Sequence, residues 1–237
     1  IPAPVFRMMP ASGTLANLYV LNTITFNTGA IVNSILIDGV RLNAGKNGVG
    51  GGDGNFQNTT GYTTTNSGAV MMSGLTIAQT VNAAPALAGA TFGNFGVDNE
   101  SGVVPAVTFG NASTMVGDFY LAEGAVNPAN ITFNNASPFP TIYRTEGTFT
   151  ANIAGNIAAG TRVNVTYYGS DKAAANEVPN SATGLNNLHV ATTNGAQAGQ
   201  GIVTLGATPT TVNGTLTIDA NQSLYTGVNI LILAGSA

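Results

Sequence analysis

Two stretches, Gly147-Thr148-Phe149-Thr150-Ala151-Asn152-Ile153 and Arg162-Val163-Asn164-Val165-Thr166-Tyr167-Tyr168, alternate apolar with polar side chains. Successive side chains of a strand point to opposite faces, so period two marks a strand buried on one side only. The first stretch is expected to place Phe149, Ala151 and Ile153 inward. The second is expected to place Val163, Val165 and Tyr167 inward, with Arg162, Asn164 and Thr166 outward. The same pattern sets Leu216 and Ile218 against Thr215, Thr217 and Asp219.

Working outward, further strands are predicted over residues 18–26, 31–42, 69–77, 103–109, 116–121, 188–193, 201–205 and 228–233. Asn213-Gly214 lies between Thr211-Val212 and Thr215-Leu216 and reads as a two-residue hairpin turn, since both positions tolerate positive φ. Asn194-Gly195 and Asn47-Gly48 offer similar turns. Residues 43–66 are Gly, Asn and Thr with little apolar content and read as a long exposed loop. Helix signals are sparse. One short candidate runs from Asp171 to Glu177, capped by Ser170 or Asp171.

These features predict an all-β chain: an antiparallel β-sandwich or jelly-roll-like fold with long Gly/Asn/Thr loops. A solenoid is the less favoured expectation, because no regular short repeat is visible. Residues 1–12 are expected to form an extended N-terminal arm and residues 13–237 a single sandwich domain, with a secondary boundary near residues 155–160.

The composition narrows function. Charged residues are 7% of 237, against about 25% in ordinary soluble domains. Polarity comes instead from 28 Asn, 31 Thr and 11 Ser beside 31 Gly. The six Lys and Arg are scattered on a chain of net charge −4, which argues against nucleic acid as a partner and against a polybasic membrane surface. No apolar run approaches the ~20 residues of a membrane-spanning helix. Without Cys there is no disulfide framework, thiolate metal site or Cys nucleophile. The chain begins at Ile1, read as a processed terminus and hence as a sign of secretion to the extracellular space or cell surface.

Catalytic candidates are few, and the chain is expected not to be an enzyme. The one histidine, His189, sits between Leu188 and Val190 and is expected to face away from them, toward solvent, without a carboxylate partner. Asp98 and Glu100 lie in a Gly-, Asn- and Ser-rich turn and read as a solvated pair. No cofactor is expected, with calcium the one exception considered. Gly50-Gly51-Gly52-Asp53-Gly54-Asn55 is a Gly-rich acidic loop of a kind that wraps Ca²⁺, through Asp53 and Asn55, although a flexible loop is the simpler reading. Asn-x-Ser/Thr sequons occur at Asn58, Asn99, Asn111, Asn130, Asn135, Asn164, Asn213 and Asn221, making glycans candidate partners.

The apolar, proline-rich start, Ile1-Pro2-Ala3-Pro4-Val5-Phe6-Arg7-Met8-Met9-Pro10, suits an extended arm laid on a neighbouring copy, with Ile1, Val5, Phe6, Met8 and Met9 as the assembly residues. The strand at 228–233 is the rival donor.

Ser12-Gly13-Thr14-Leu15, then Ile24-Thr25-Phe26-Asn27-Thr28-Gly29 and Ile35-Leu36-Ile37-Asp38-Gly39, resemble the opening strands of TasA/camelysin-like secreted fibre proteins. That resemblance implies a β-sandwich subunit that polymerises by donating a strand. The expected function is a structural subunit of an extracellular self-assembling, pilus-like filament or surface layer, joined by strand addition between copies. Edge control points the same way: monomeric β-proteins guard open edges with Lys, and this chain has only Lys46 and Lys172. The alternatives are a jelly-roll capsid or virion protein and a carbohydrate-binding or adhesive module.

Overall fold

The computed structural model describes residues 69–81, 90–169, 171–191, 201–206 and 208–235. Nearer the N-terminus it describes six strand segments: Val5–Met8, Ala16–Val20, Ile24–Phe26, Ser34–Ile37, Val40–Gly45 and Phe56–Asn58. The all-β expectation holds, but the antiparallel sandwich does not. Every strand pair among the described residues is parallel, and the chain winds as a β-solenoid.

Each coil contributes one strand to a nine-stranded main sheet. Its order is Ala16–Val20, Val40–Gly45, Ala69–Ser73, Asn94–Asp98, Phe119–Glu123, Thr141–Arg144, Val163–Tyr167, Leu185–Val190 and Leu216–Ile218. At about 4.8 Å between strands, nine coils make a rod about 40 Å long. A second face is a six-stranded sheet running from Ile24–Phe26 to Thr148–Phe149. A third face carries Ala90–Phe92, Ser113–Met115 and Ile131–Phe133.

The alternating residues become axial columns. Val70, Phe95, Phe119, Ile142, Val165, Leu188 and Leu216 stand in register along the interior of the main sheet. Their spacing varies between 23 and 28 residues. Phenylalanines knit the columns of different faces together. Phe95 and Phe119 lie 5.5 Å apart, and Phe119 meets Phe149 at 5.3 Å and Phe133 at 5.9 Å. Such pairs add about 0.5–1.5 kcal/mol each beyond the area they bury.

Asparagine supplies the second axial device. Side-chain amides at coil corners donate to main-chain carbonyls of a neighbouring coil: Asn130 to Phe109 at 2.6 Å, Asn135 to Val116 at 2.7 Å, Asn156 to Ile131 at 2.7 Å and Asn176 to Phe149 at 2.7 Å. These bonds span 19 to 27 residues of sequence, about one coil. Strand ladders end at the corners, and the amides satisfy carbonyls that would otherwise lose their partners.

Four local expectations are overturned. Residues 43–66 are not one long loop, since the strand Val40–Gly45 runs into that stretch and Phe56–Asn58 falls within it. Asn213-Gly214 is a corner and not a hairpin, because Thr210–Val212 pairs in parallel with Leu231–Leu233 while Leu216–Ile218 pairs with Leu185–Val190. Asn213 uses its amide on the Leu185 carbonyl, and the Gly214 N–H bonds the Asn186 carbonyl. The candidate helix at 171–177 is instead a short strand, Lys172–Ala173, followed by a turn. A 3₁₀ turn lies at Ile153–Asn156, capped by Asn152, whose side chain accepts from the Ala154 N–H. That turn ends the alternation begun at Gly147: Phe149 and Ile153 are buried, but Ala151 is exposed.

Candidate functional surfaces

The interior column Met72, Val97, Leu121, Arg144, Tyr167, Val190 contains one charged residue. Arg144 replaces an aliphatic side chain where the second face is interrupted. The six-stranded sheet stops at Thr148–Phe149, and a separate three-stranded sheet starts one coil later at Lys172–Ala173. Across this break Arg144 Nη1 donates to the Ala173 carbonyl at 2.8 Å and to Glu177 Oε1. Glu177, fully buried, also accepts from the Ala175 N–H at 2.9 Å and from the Tyr167 hydroxyl at 2.8 Å. The ion pair therefore occupies main-chain groups that lack a strand to pair with. Burial, then the neighbouring Glu177 carboxylate, holds the Tyr167 hydroxyl well above its usual titration range. Nearby, Lys172 Nζ donates to the carbonyls of Thr145 and Tyr168. Burial lowers its pKa, against the opposing pull of Glu146.

The outward side of the main sheet carries the column Gly96, Tyr120, Tyr143, Thr166, His189, Thr217. Tyr120 stacks on Tyr143 at 5.1 Å and 12°, and Tyr143 on Tyr168 at 6.0 Å and 21°. Rings stacked along the axis spend their faces on each other. Asp118 sits beside this stack, its carboxyl raised above the usual range by burial and pulled back by the Tyr120 hydroxyl and Thr141. Burial also raises Tyr143 and Tyr168. His189 does lie on this outward side, but it has a carboxylate partner. Its Nε2 is 2.9 Å from Asp219 Oδ1, which stands 30 residues later and one coil on. Sequence distance hid that pair; register reveals it.

Asp98 and Glu100 are joined by Glu123 from the next coil, and one carboxylate oxygen of each lies within 4.8 Å of the others. Three oxygens are half of what calcium requires. The Asp53 and Asn55 loop lies outside the described residues, as do Ile1 and Met9. Val5, Phe6 and Met8 belong to a strand that pairs in parallel with Ser34–Ile37 of the same chain.

The sequons divide by environment. Asn99 is buried, with its amide on Gln79 Oε1 and the Ile77 carbonyl. Asn130, Asn135, Asn164 and Asn213 use their amides between coils. Asn111 is half-buried, and Asn221 is exposed at positive φ, 64°. Asn58 lies in the strand Phe56–Asn58.

The last described coil, formed by Leu216–Ile218, Ser223–Tyr225 and Leu231–Leu233, has a described strand on one side only. Large apolar side chains are exposed there: Val228 at 99%, Ile230 at 62%, Tyr225 at 61% and Leu233 at 60%. Comparison with protein-family models, curated proteins and solved structures finds no match to this chain.

Proposed function

We propose that the chain is a structural subunit of an extracellular filament or surface layer, and that copies join by β-strand addition at the coil Leu216–Leu233. The carrying observation is that coil: three parallel strand edges beside a cluster of exposed large hydrophobics. Strand edges of that kind are templates for further β-structure. The low charge of the chain supports close packing of copies, since little repulsion opposes it. Strand addition supplies main-chain bonds along the edge, and burying each apolar side chain contributes about 1.5–3 kcal/mol before association costs.

The test is negative-stain electron microscopy with sedimentation velocity, comparing the wild type with the double variant Ile232→Lys/Leu233→Lys. Both side chains are exposed, so the fold tolerates the change. The wild type is expected to form rods or sheets at micromolar concentration, and the variant to remain monomeric with unchanged circular dichroism. A wild type that stays monomeric, or a variant that assembles as the wild type does, refutes the proposal.

A further inference from the structure

The third face is also interrupted. After Ile131–Phe133 the next coil supplies no strand there, only the Phe133–Ile157 bridge and the 3₁₀ turn before it, and the face resumes as a two-stranded sheet at Thr210–Val212. The missing strand leaves a cleft of about 670 Å³, within the ~300–1,000 Å³ range of small-ligand sites.

Its walls are chemically mixed. Phe139 and Ile157 supply an apolar surface, and Thr161, Ser181 and Thr183 supply hydroxyls. Arg162 is the one charged residue of the lining. The chain is otherwise acidic, yet no carboxylate among the described residues lines this cleft, and Arg162 has no ion pair or hydrogen bond with any described residue. It is half-buried and follows Thr161, whose N–H bonds the Ala158 carbonyl to fix the turn. A guanidinium left open at the rim of a concave site presents a planar fork suited to carboxylate.

We infer that this cleft binds a carboxylate-bearing sugar. The carboxylate pairs with Arg162, the ring hydroxyls meet Thr161, Ser181 and Thr183, and the apolar C–H face of the ring rests on Phe139 and Ile157. Each wall is matched by one part of that ligand. A neutral sugar leaves the guanidinium unused, and a small inorganic anion leaves the apolar wall unused. The inference is independent of assembly through the terminal coil, which lies on other residues.

The experiment uses the full chain with sodium D-glucuronate as probe, and D-glucose and sodium acetate as controls. Binding is followed by saturation-transfer NMR and quantified by calorimetry, with Arg162→Gln and Thr183→Trp as variants. Thr183 is exposed, so the indole fills the cleft without disturbing the core. Glucuronate is expected to bind with a Kd of about 10 mM or tighter, at least about tenfold better than either control, and about tenfold or more weaker in both variants. Three results overturn the inference: no glucuronate binding by about 10 mM, glucose or acetate binding equally well, or glucuronate binding that survives either substitution. Electron microscopy of the same variants separates this outcome from any failure of the assembly proposal.

Discussion

Glu177→Gln separates two roles for the buried ion pair. The substitution keeps an acceptor for the Ala175 N–H and the Tyr167 hydroxyl, but it removes the charge that Arg144 faces. With the Glu177 side chain fully enclosed and that of Arg144 only 11% exposed, the guanidinium is left uncompensated in the core. Breaking such a pair costs about 3–5 kcal/mol. For a chain of this length that lowers Tm by roughly 6–20 °C. The companion variant is Arg144→Met/Glu177→Leu. A buried pair that served only itself would be replaced by apolar residues at little cost or with a gain. Here the pair also holds the Ala173 carbonyl and the Ala175 N–H where the strand ladder is broken. Leaving those two groups and the Tyr167 hydroxyl unpaired costs about 1–3 kcal/mol each, so the double variant is expected to stay about 3–9 kcal/mol below the wild type. Thermal and urea unfolding, followed by circular dichroism, measure both variants. A double variant as stable as the wild type refutes the claim that the pair stands in for the missing strand.

Three further outcomes are expected. Asn156→Asp replaces an amide that donates to the Pro128 and Ile131 carbonyls by a carboxylate that cannot donate, and is expected to lower stability by about 1–3 kcal/mol in urea titrations. The same change at exposed Asn221 should leave the midpoint unmoved. Gly117→Ala would place a methyl 2.0 Å from the Gly93 carbonyl oxygen and 2.6 Å from Asn94 Oδ1, forcing the corner of the neighbouring coil away; a cost of about 1–3 kcal/mol or more is expected by thermal melting. Asp118 has a raised pKa in the fold, so the folded state holds its proton more firmly than the unfolded chain does. Its stabilising contribution is full below the ordinary carboxylate value and is lost as pH rises through the raised one. Asp118→Asn should therefore flatten the decline of Tm with pH across that window, and an unchanged profile would show that Asp118 does not cause it.

Strands such as Val107–Phe109 were legible because alternate residues are buried while those between are not. That same property hid their direction. Parallel sheets are usually covered on both faces and read as continuous apolar runs. A solenoid covers only the inner face, so Val163-Asn164-Val165-Thr166-Tyr167 alternates as an antiparallel strand would, although its partners on both sides are parallel. The repeat was hidden by its irregularity. The interval is 23 residues from Phe119 through Ile142 and Val165 to Leu188, but 25 from Val70 to Phe95 and 28 from Leu188 to Leu216, because corners absorb insertions while the columns stay aligned. The Gly- and Ala-rich stretch at 155–160 lies between two strands of the main sheet, Thr141–Arg144 and Val163–Tyr167. The main sheet runs through it unbroken, and the stretch marks where the third face loses a strand and the cleft opens. Nothing local distinguishes Arg162 from the other outward residues of its stretch, so its position at that cleft required the coil register.

The unusual composition follows from the same geometry. In a solenoid each corner recurs one coil above another, and its carbonyls point along the axis toward the corner of a neighbouring coil. Asn fits that place because a single short side chain both donates and accepts without charge. Asn164 shows both uses, donating to the Phe139 carbonyl while its own oxygen accepts from the Asn186 amide and the Asn187 N–H. A column of carboxylates or ammonium groups at coil spacing would repel along its whole length at about 5 Å. Neutral amides and hydroxyls can repeat indefinitely. A chain that satisfies its corners in this way must therefore be poor in charge and rich in Asn and Thr, whatever it binds. Composition then reports the architecture, and the departures from it report the special positions. Arg144 and Glu177 stand where the second face loses its ladder, and Arg162 stands where the third face opens a cleft. Among the described residues, these three charges stand at breaks in the coil's repetition.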